Sequence, residues 1–228
     1  MKSIIHYFIL FLLLSVSLQS CRRSDRNRTR EAATFETEDE NCKLGSDGWS
    51  IEEIKCANTA NNMEYLSAEE QKVILICNLA RLDGEKFIKT YAKPYLGERS
   101  NEYIESLYSD LRKVKRLRMM VPDNRLYEAA AYHAKDMGAT GNIGHTSSDG
   151  TSMQTRISRW YSNYKYIGEC CDYGYDKALD IVMHLLVDEG VESLGHRKNI
   201  LDPQFGKIGV SIQPHIVYRY NCVQDFAN

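Results

Sequence analysis

The stretch KIGVSIQPHIVYRYNCVQDF, Lys207 to Phe226, decides the fold class. Ile208, Val210 and Ile212 alternate with Lys207, Gly209, Ser211 and Gln213, a period of two that predicts a strand with one buried face. QPH at 213–215 reads as the turn and IVYRYNCVQDF as the returning strand. Working outward, YKYIGECC at 164–171 predicts a further short strand. Between it and the hairpin, Leu179, Val182, Leu186 and Glu189 recur at helical spacing within Tyr175 to Glu189.

Upstream the punctuation is helical. Ser67 and Glu70 in SAEE form a capping box, ahead of Val73, Ile74, Cys77 and Ala80 on one face. A second helix is expected around Glu85 to Tyr91, before Pro94. Ser100 is the expected cap of a third, with Tyr103, Leu107, Leu111 and Val114 as its stripe. Asp123 caps a fourth, carrying Leu126, Ala130, His133 and Met137 and stopping at Gly138. Helices followed by strand, helix and hairpin define an α+β fold: a small, largely antiparallel sheet covered by helices.

The first residues set the compartment. Met1 and Lys2 precede an apolar run from Ile4 to Leu14, too short to span a bilayer comfortably, and SLQSC follows at 17–21. Residues 1–20 are read as a signal peptide. LQSC resembles a lipobox, which makes Cys21 the expected acylation site and the membrane the expected partner through it. Arginines at 22, 23, 26, 28 and 30, then acids at 36 and 38–40, leave little to bury, so 21–65 is expected to be a polar tether and 66–228 the domain. Arg22 after Cys21 in place of an aspartate points to the outer membrane or cell surface. With Cys21 acylated, Cys42, Cys56, Cys77, Cys170, Cys171 and Cys222 are even in number and permit full disulfide pairing, a Cys42–Cys56 loop included. A formal net charge of −2 gives no field for phosphates, so nucleic acid is excluded as a partner.

Histidines are the chemical residues to sort. His6 leaves with the signal peptide, His215 falls in the expected turn, and His133 and His184 lie on helical stripes, where a satisfied core imidazole is the expectation. His145 and His196 remain as functional candidates.

GHTSSDGTSMQTRI, IGECCDYG and LLVDEGVESLGHRKNILDPQFGKIGVSI, in that order, resemble the successive signatures of the CAP superfamily, also called the SCP domain. This family includes cysteine-rich secretory proteins, antigen 5 and pathogenesis-related 1 proteins, and the bacterial branch is the nearest likeness. NLAR at 78–81 and AAAYHAKDM at 129–137 also look like that branch's helices, and the resemblance covers roughly Ser67 to Phe226. It implies an α-β-α sandwich with a cleft lined by two histidines and two acids. Carried onto this chain they are His145, His196, Glu169 and, from VDEG, Glu189 in preference to Asp188.

Two imidazoles with carboxylates form a donor set suited to Zn²⁺ or another divalent metal, which would make all four metal ligands; the alternative is that the four groups hydrogen-bond one another and bridge the cleft, tuned by histidine protonation at mildly acidic pH. The expected function is an exported, lipid-anchored binding module whose cleft holds a metal, a lipid or another small ligand, or engages a protein. The alternatives are a metal-assisted hydrolase, with Glu169 or Glu189 as base or with Thr146, Ser147 or Ser193 as nucleophile, and a purely structural envelope protein. No HExxH helix or GxSxG elbow supports the hydrolase.

Overall fold

The computed structural model describes residues 48–228. The signal peptide, Cys21, the arginine run and Cys42 lie outside the described residues. The polypeptide forms α1 (Ile51–Ala57), α2 (Ala68–Leu82), α3 (Gly84–Phe87), a π-helical segment Ile88–Ala92, α4 (Lys93–Leu96) and α5 (Glu102–Lys113). There follow β1 (Val121–Pro122), α6 (Asn124–Thr140), α7 (Met153–Trp160), β2 (Ile167–Tyr173), α8 (Ala178–Val187), α9 (Gly195–Leu201), β3 (Lys207–His215) and β4 (Arg219–Ala227). The sheet order is β1-β3-β4-β2, antiparallel except for the short parallel pairing of β1 with β3. Among the described residues no helix is long and apolar enough to cross a membrane.

Strand alternation divides the core between two helical layers, giving the expected α-β-α sandwich. Ile208, Val210, Cys222, Phe226 and Cys170 pack with α2 and α8 in the main cluster. Val223 and Cys171 meet Ala130 and Ala134 of α6 on the opposite face. Gly209 of β3 lets α6 approach closely: a Cβ there would stand 2.1 Å from the Leu126 carbonyl carbon. That contact explains why glycine stands between Ile208 and Val210.

Several boundaries differ from expectation for local reasons. The turn comes after QPH, with His215 paired to Arg219 across Ile216, Val217 and Tyr218. Pro214 is tolerated within β3 because β1 borders only Lys207 and Ile208, so no neighbour on that side needs its missing N–H. Asn101, not Ser100, caps α5, its side chain accepting from the Ile104 N–H at 3.0 Å. Pro94 does not end the second helical run, because it falls in the first turn of α4 after the π segment.

Residues 48–65, read as the end of the tether, are folded onto the domain. Trp49, Ala57 and Ala60 are buried in the main cluster, and the Trp49 indole N–H donates to Thr90 Oγ1 at 2.9 Å. SIEE at 50–53 is a capping box like SAEE at 67–70, and both are formed. Full disulfide pairing is not observed either: the thiols of Cys77, Cys170, Cys171 and Cys222 are buried and unbridged among the described residues. Adjacent positions on β2 send Cys170 and Cys171 to opposite faces, and burial pushes the Cys77 thiol up to about 12.

Two fully buried arginines lock the loops that carry the site. Arg81 of α2 donates to the carbonyls of Arg118, Ile200, Asp202 and Phe205 at 2.7–3.0 Å, and burial brings its guanidinium down to about 10. Arg197 of α9 donates to the Leu186, Val187 and Tyr103 carbonyls at 2.7–2.9 Å and reaches Ser106 Oγ at 2.8 Å and Asp110 at 3.2 Å. The second arginine pins α9, and with it His196, to the end of α8 and to α5.

Candidate binding cleft

β2 is an edge strand, and the cleft opens along it. Glu169, on the face of β2 turned to α6 and α7, receives the His145 Nδ1–H at 2.8 Å through Oε1. His145 comes from the loop after α6, which leaves the helix through Gly141 in the left-handed region at φ 75°. The polar residues after it are turn formers, as their composition suggests. Asp136 accepts from the Ser148 N–H at 2.7 Å, and the Ser147 N–H donates to the Thr151 carbonyl at 2.9 Å.

On the other flank, Asp188 receives the His196 Nδ1–H at 2.7 Å through Oδ1. Its second oxygen takes the backbone N–H groups of His196 and Arg197 at 3.0 and 3.2 Å. The two imidazoles face each other with ring centroids 6.5 Å apart and planes inclined by 37°. Among the described residues neither Nε2 has a hydrogen-bond partner. His145 is about half exposed on its side chain and His196 is 22% exposed, so both rings border solvent while their carboxylates do not.

The structure thus brings together His145, Glu169 and His196, but the second acid is Asp188 and not the preferred Glu189. Glu189 faces outward and accepts from Asn101 Nδ2 at 2.9 Å and Arg99 Nη2 at 3.3 Å. Asp188 caps α8 in the left-handed conformation at φ 56°, ψ 38°, so the helical stripe that favoured Glu189 has ended one residue earlier. His133 behaves as a satisfied core histidine: Nε2 lies 2.8 Å from the Gly144 carbonyl and Nδ1 3.4 Å from Ser147 Oγ. His184 does not. Its side chain is half exposed, and Nδ1 donates at 2.5 Å to Asp172, a buried carboxylate on the opposite face of β2. His215, expected in the turn, ends β3 just before it and is buried.

Glu169 is the centre of a buried network that the sequence did not reveal. Arg156 of α7 donates to its Oε2 and, through Nη1, to the His145 carbonyl at 3.2 Å and Ser147 Oγ at 3.1 Å. Asp225 of β4 is the cross-strand neighbour of Glu169. Burial, then the Glu169 charge, pushes the Asp225 carboxyl well up, and neither of its buried oxygens has a hydrogen-bond partner among the described residues. Burial alone would raise Glu169 too, but the His145 hydrogen bond and the Arg156 charge outweigh it and hold that carboxyl below its usual range. Asp188 is likewise lowered, burial being outweighed by the His196 bond and the two backbone N–H groups. No local signature announces Arg156. Asp225 left a weak trace, an acid at the same parity as Val223 on a strand whose face is covered by α6.

As a metal site the four expected ligands are not one cluster. Among the described residues the group whose donor atoms all lie within 4.8 Å of one another is His133, Glu169 and Cys171. That donor set fits a divalent ion poorly: Glu169 is already neutralised by the fixed Arg156 guanidinium, His133 Nε2 is held at Gly144, and burial pushes the Cys171 thiol well up. The two outward Nε2 atoms fit better, since a carboxylate on Nδ1 fixes the ring and the tautomer that a metal-binding imidazole needs.

A three-layer sandwich with paired His–carboxylate dyads at a sheet edge is the fold and site class that these observations define. The sequence profile of the CAP family, described as the cysteine-rich secretory protein family, matches residues 106–226, and the chain belongs to that family. Among solved structures, an extracellular protein containing an SCP domain from Bacillus anthracis shares 22% identity over 55% of this chain and 38% of its own, with a TM-score of 0.42. An outer surface protein from Borrelia burgdorferi shares 22% identity over 57% of this chain and 95% of its own, at 0.44. A cysteine-rich secretory protein from Staphylococcus aureus shares 14% over 58% and 40%, at 0.38. This chain therefore spans well under half of the Bacillus and Staphylococcus chains. A comparison with curated proteins finds no match.

Proposed function

We propose that the protein is an exported binding module, anchored to the membrane through acylated Cys21, whose cleft presents His145 and His196 to a divalent metal ion or to a small ligand. The observation that carries this reading is the pair of dyads: each Nδ1 is committed to a buried carboxylate, and the two free Nε2 atoms belong to rings 6.5 Å apart. His145 and His196 would hold a Zn²⁺-class ion, with Glu169 and Asp188 orienting the rings instead of ligating. Such an ion supplies Lewis acidity and an acidified water. The SLQSC sequence and the secretory name of the family support export. A serine nucleophile at Ser147 is not part of the proposal, since that residue is buried and its hydroxyl is spent on Arg156 and His133.

The test is calorimetric titration of Zn²⁺ into the chelator-treated protein and into a His145→Ala/His196→Ala variant, with circular dichroism showing both folded. Saturable binding lost in the variant is expected. A folded parent that takes up no Zn²⁺, or a variant that binds as the parent does, would remove the metal from the proposal.

A further inference from the structure

The tip of the β3–β4 hairpin carries Ile216, Val217 and Tyr218 at 71%, 63% and 42% exposure, with Ile143 beside it at 59%. These residues form one patch. A Cβ on Gly141 would stand 3.1 Å from both the Ile216 and the Val217 side chains, and the Asn142 carbonyl lies 2.9 Å from His215 Nε2. Isolated exposed apolar residues need no explanation, but four clustered at one protruding corner do.

The N–H groups of this tip are already satisfied from within. His215 Nδ1 accepts the N–H groups of Val217 and Tyr218, both at 3.2 Å, and the Ile216 N–H donates to the Gly138 carbonyl at 3.1 Å. His215 is itself buried against Tyr173 and Tyr218. Exposed apolar side chains are therefore presented by a turn whose N–H groups need no water, which lets it approach a low-dielectric phase without stranding those donors.

Charge selects the occupant. Lys135, on the α6 face beneath the hairpin, and Arg219, the residue after the tip, are exposed and have no ionic partner among the described residues. The tip itself, 215–219, contains no acid. A protein interface of standard size uses about 20–30 residues a side, far more than this corner offers. A shallow apolar wedge with a tyrosine and flanking cations suits the boundary between headgroups and acyl chains. We propose that the hairpin tip, with Ile143, inserts into the surface of an anionic lipid bilayer and sets the orientation of the domain on the membrane. The proposal stands independently of the histidine cleft.

The full chain carrying Val217→Trp, mixed with phosphatidylcholine vesicles with and without phosphatidylglycerol, tests it through quenching by lipids brominated near the headgroup. Trp49 and Trp160 of the parent chain give the background. Quenching above that background is expected, stronger with phosphatidylglycerol and weakened by salt or by Lys135→Glu/Arg219→Glu. Adding Ile216→Asp should lower the partition of the tip about tenfold or more. Tyr218→Trp serves as a second reporter, and the thermal transition of each variant checks its fold. Quenching at the parental level with both reporters overturns the proposal, whether the chain binds vesicles elsewhere or the tip docks on a protein.

Discussion

Asp188 holds His196 from two directions, receiving the ring Nδ1–H at 2.7 Å and the backbone N–H at 3.0 Å, while its neighbour Glu189 turns away to Asn101. Asp188→Asn keeps the shape but removes the charge that fixes the ring. Loss of such an outer partner lowers metal affinity by about 10–100-fold. Glu189→Gln touches only an exposed pair and should change neither Zn²⁺ affinity nor the denaturation midpoint measurably. Parallel titration and urea unfolding of the two variants separates them, and equal effects would return Glu189 to the cleft.

The shifted carboxyls give the fold a defined pH dependence. Glu169 and Asp188 are lowered in the native state, so their stabilisation is present above the unfolded carboxyl range and is lost as pH falls through their folded values. Asp225 is raised, so its contribution has the opposite sign and is lost as pH rises. Asp225→Asn keeps a neutral group of the same shape across the strand from Glu169 and cannot ionise on unfolding. The variant should gain more stability relative to the parent at pH 7 than at pH 4, measured by chemical denaturation at both.

His184 is raised by its bond to Asp172, more than burial lowers it. Its stabilisation is complete below the ordinary imidazole range and disappears as pH climbs through the raised value. Burial raises Asp172 despite that bond, which adds loss of the same sign at lower pH. Titration of the His184 ring by NMR should show the raised value, and His184→Gln should flatten the stability profile above pH 6. An unshifted ring with an unchanged profile would contradict this pairing.

Arg197 is a buried cation whose donors meet three carbonyls and two side chains. Arg197→Ala removes it from around polar groups that cannot rehydrate, and a loss of about 3–5 kcal/mol is expected in urea denaturation. Lysine cannot reproduce the fork, so Arg197→Lys should recover only part. Both should also weaken binding at His196, which shares its helix.

Trp49 lies in the main core. Trp49→Ala should cost about 3–5 kcal/mol, and a chain beginning at Leu66 should unfold at lower denaturant than one beginning at Gly48. Equal midpoints for the two lengths would restore the boundary expected at 65/66.

Local patterns determined a good part of this protein. The alternation of Ile208, Val210 and Ile212 is a property of any strand that buries one face, and the Ser67–Glu70 capping box follows from spacing alone. His145, Glu169 and His196 were legible through motif order. What the sequence could not decide depended on where local rules stop. Asp188 and Glu189 are adjacent, and only the left-handed cap at Asp188 determines which meets His196. His184 sits on a helix stripe, yet half its side chain reaches solvent because Asp172 approaches from a strand twelve residues earlier. Arg156 and Asp225 converge on Glu169 from α7 and β4, since charge at a buried point is balanced by whatever the fold brings within a few ångströms, regardless of separation along the chain.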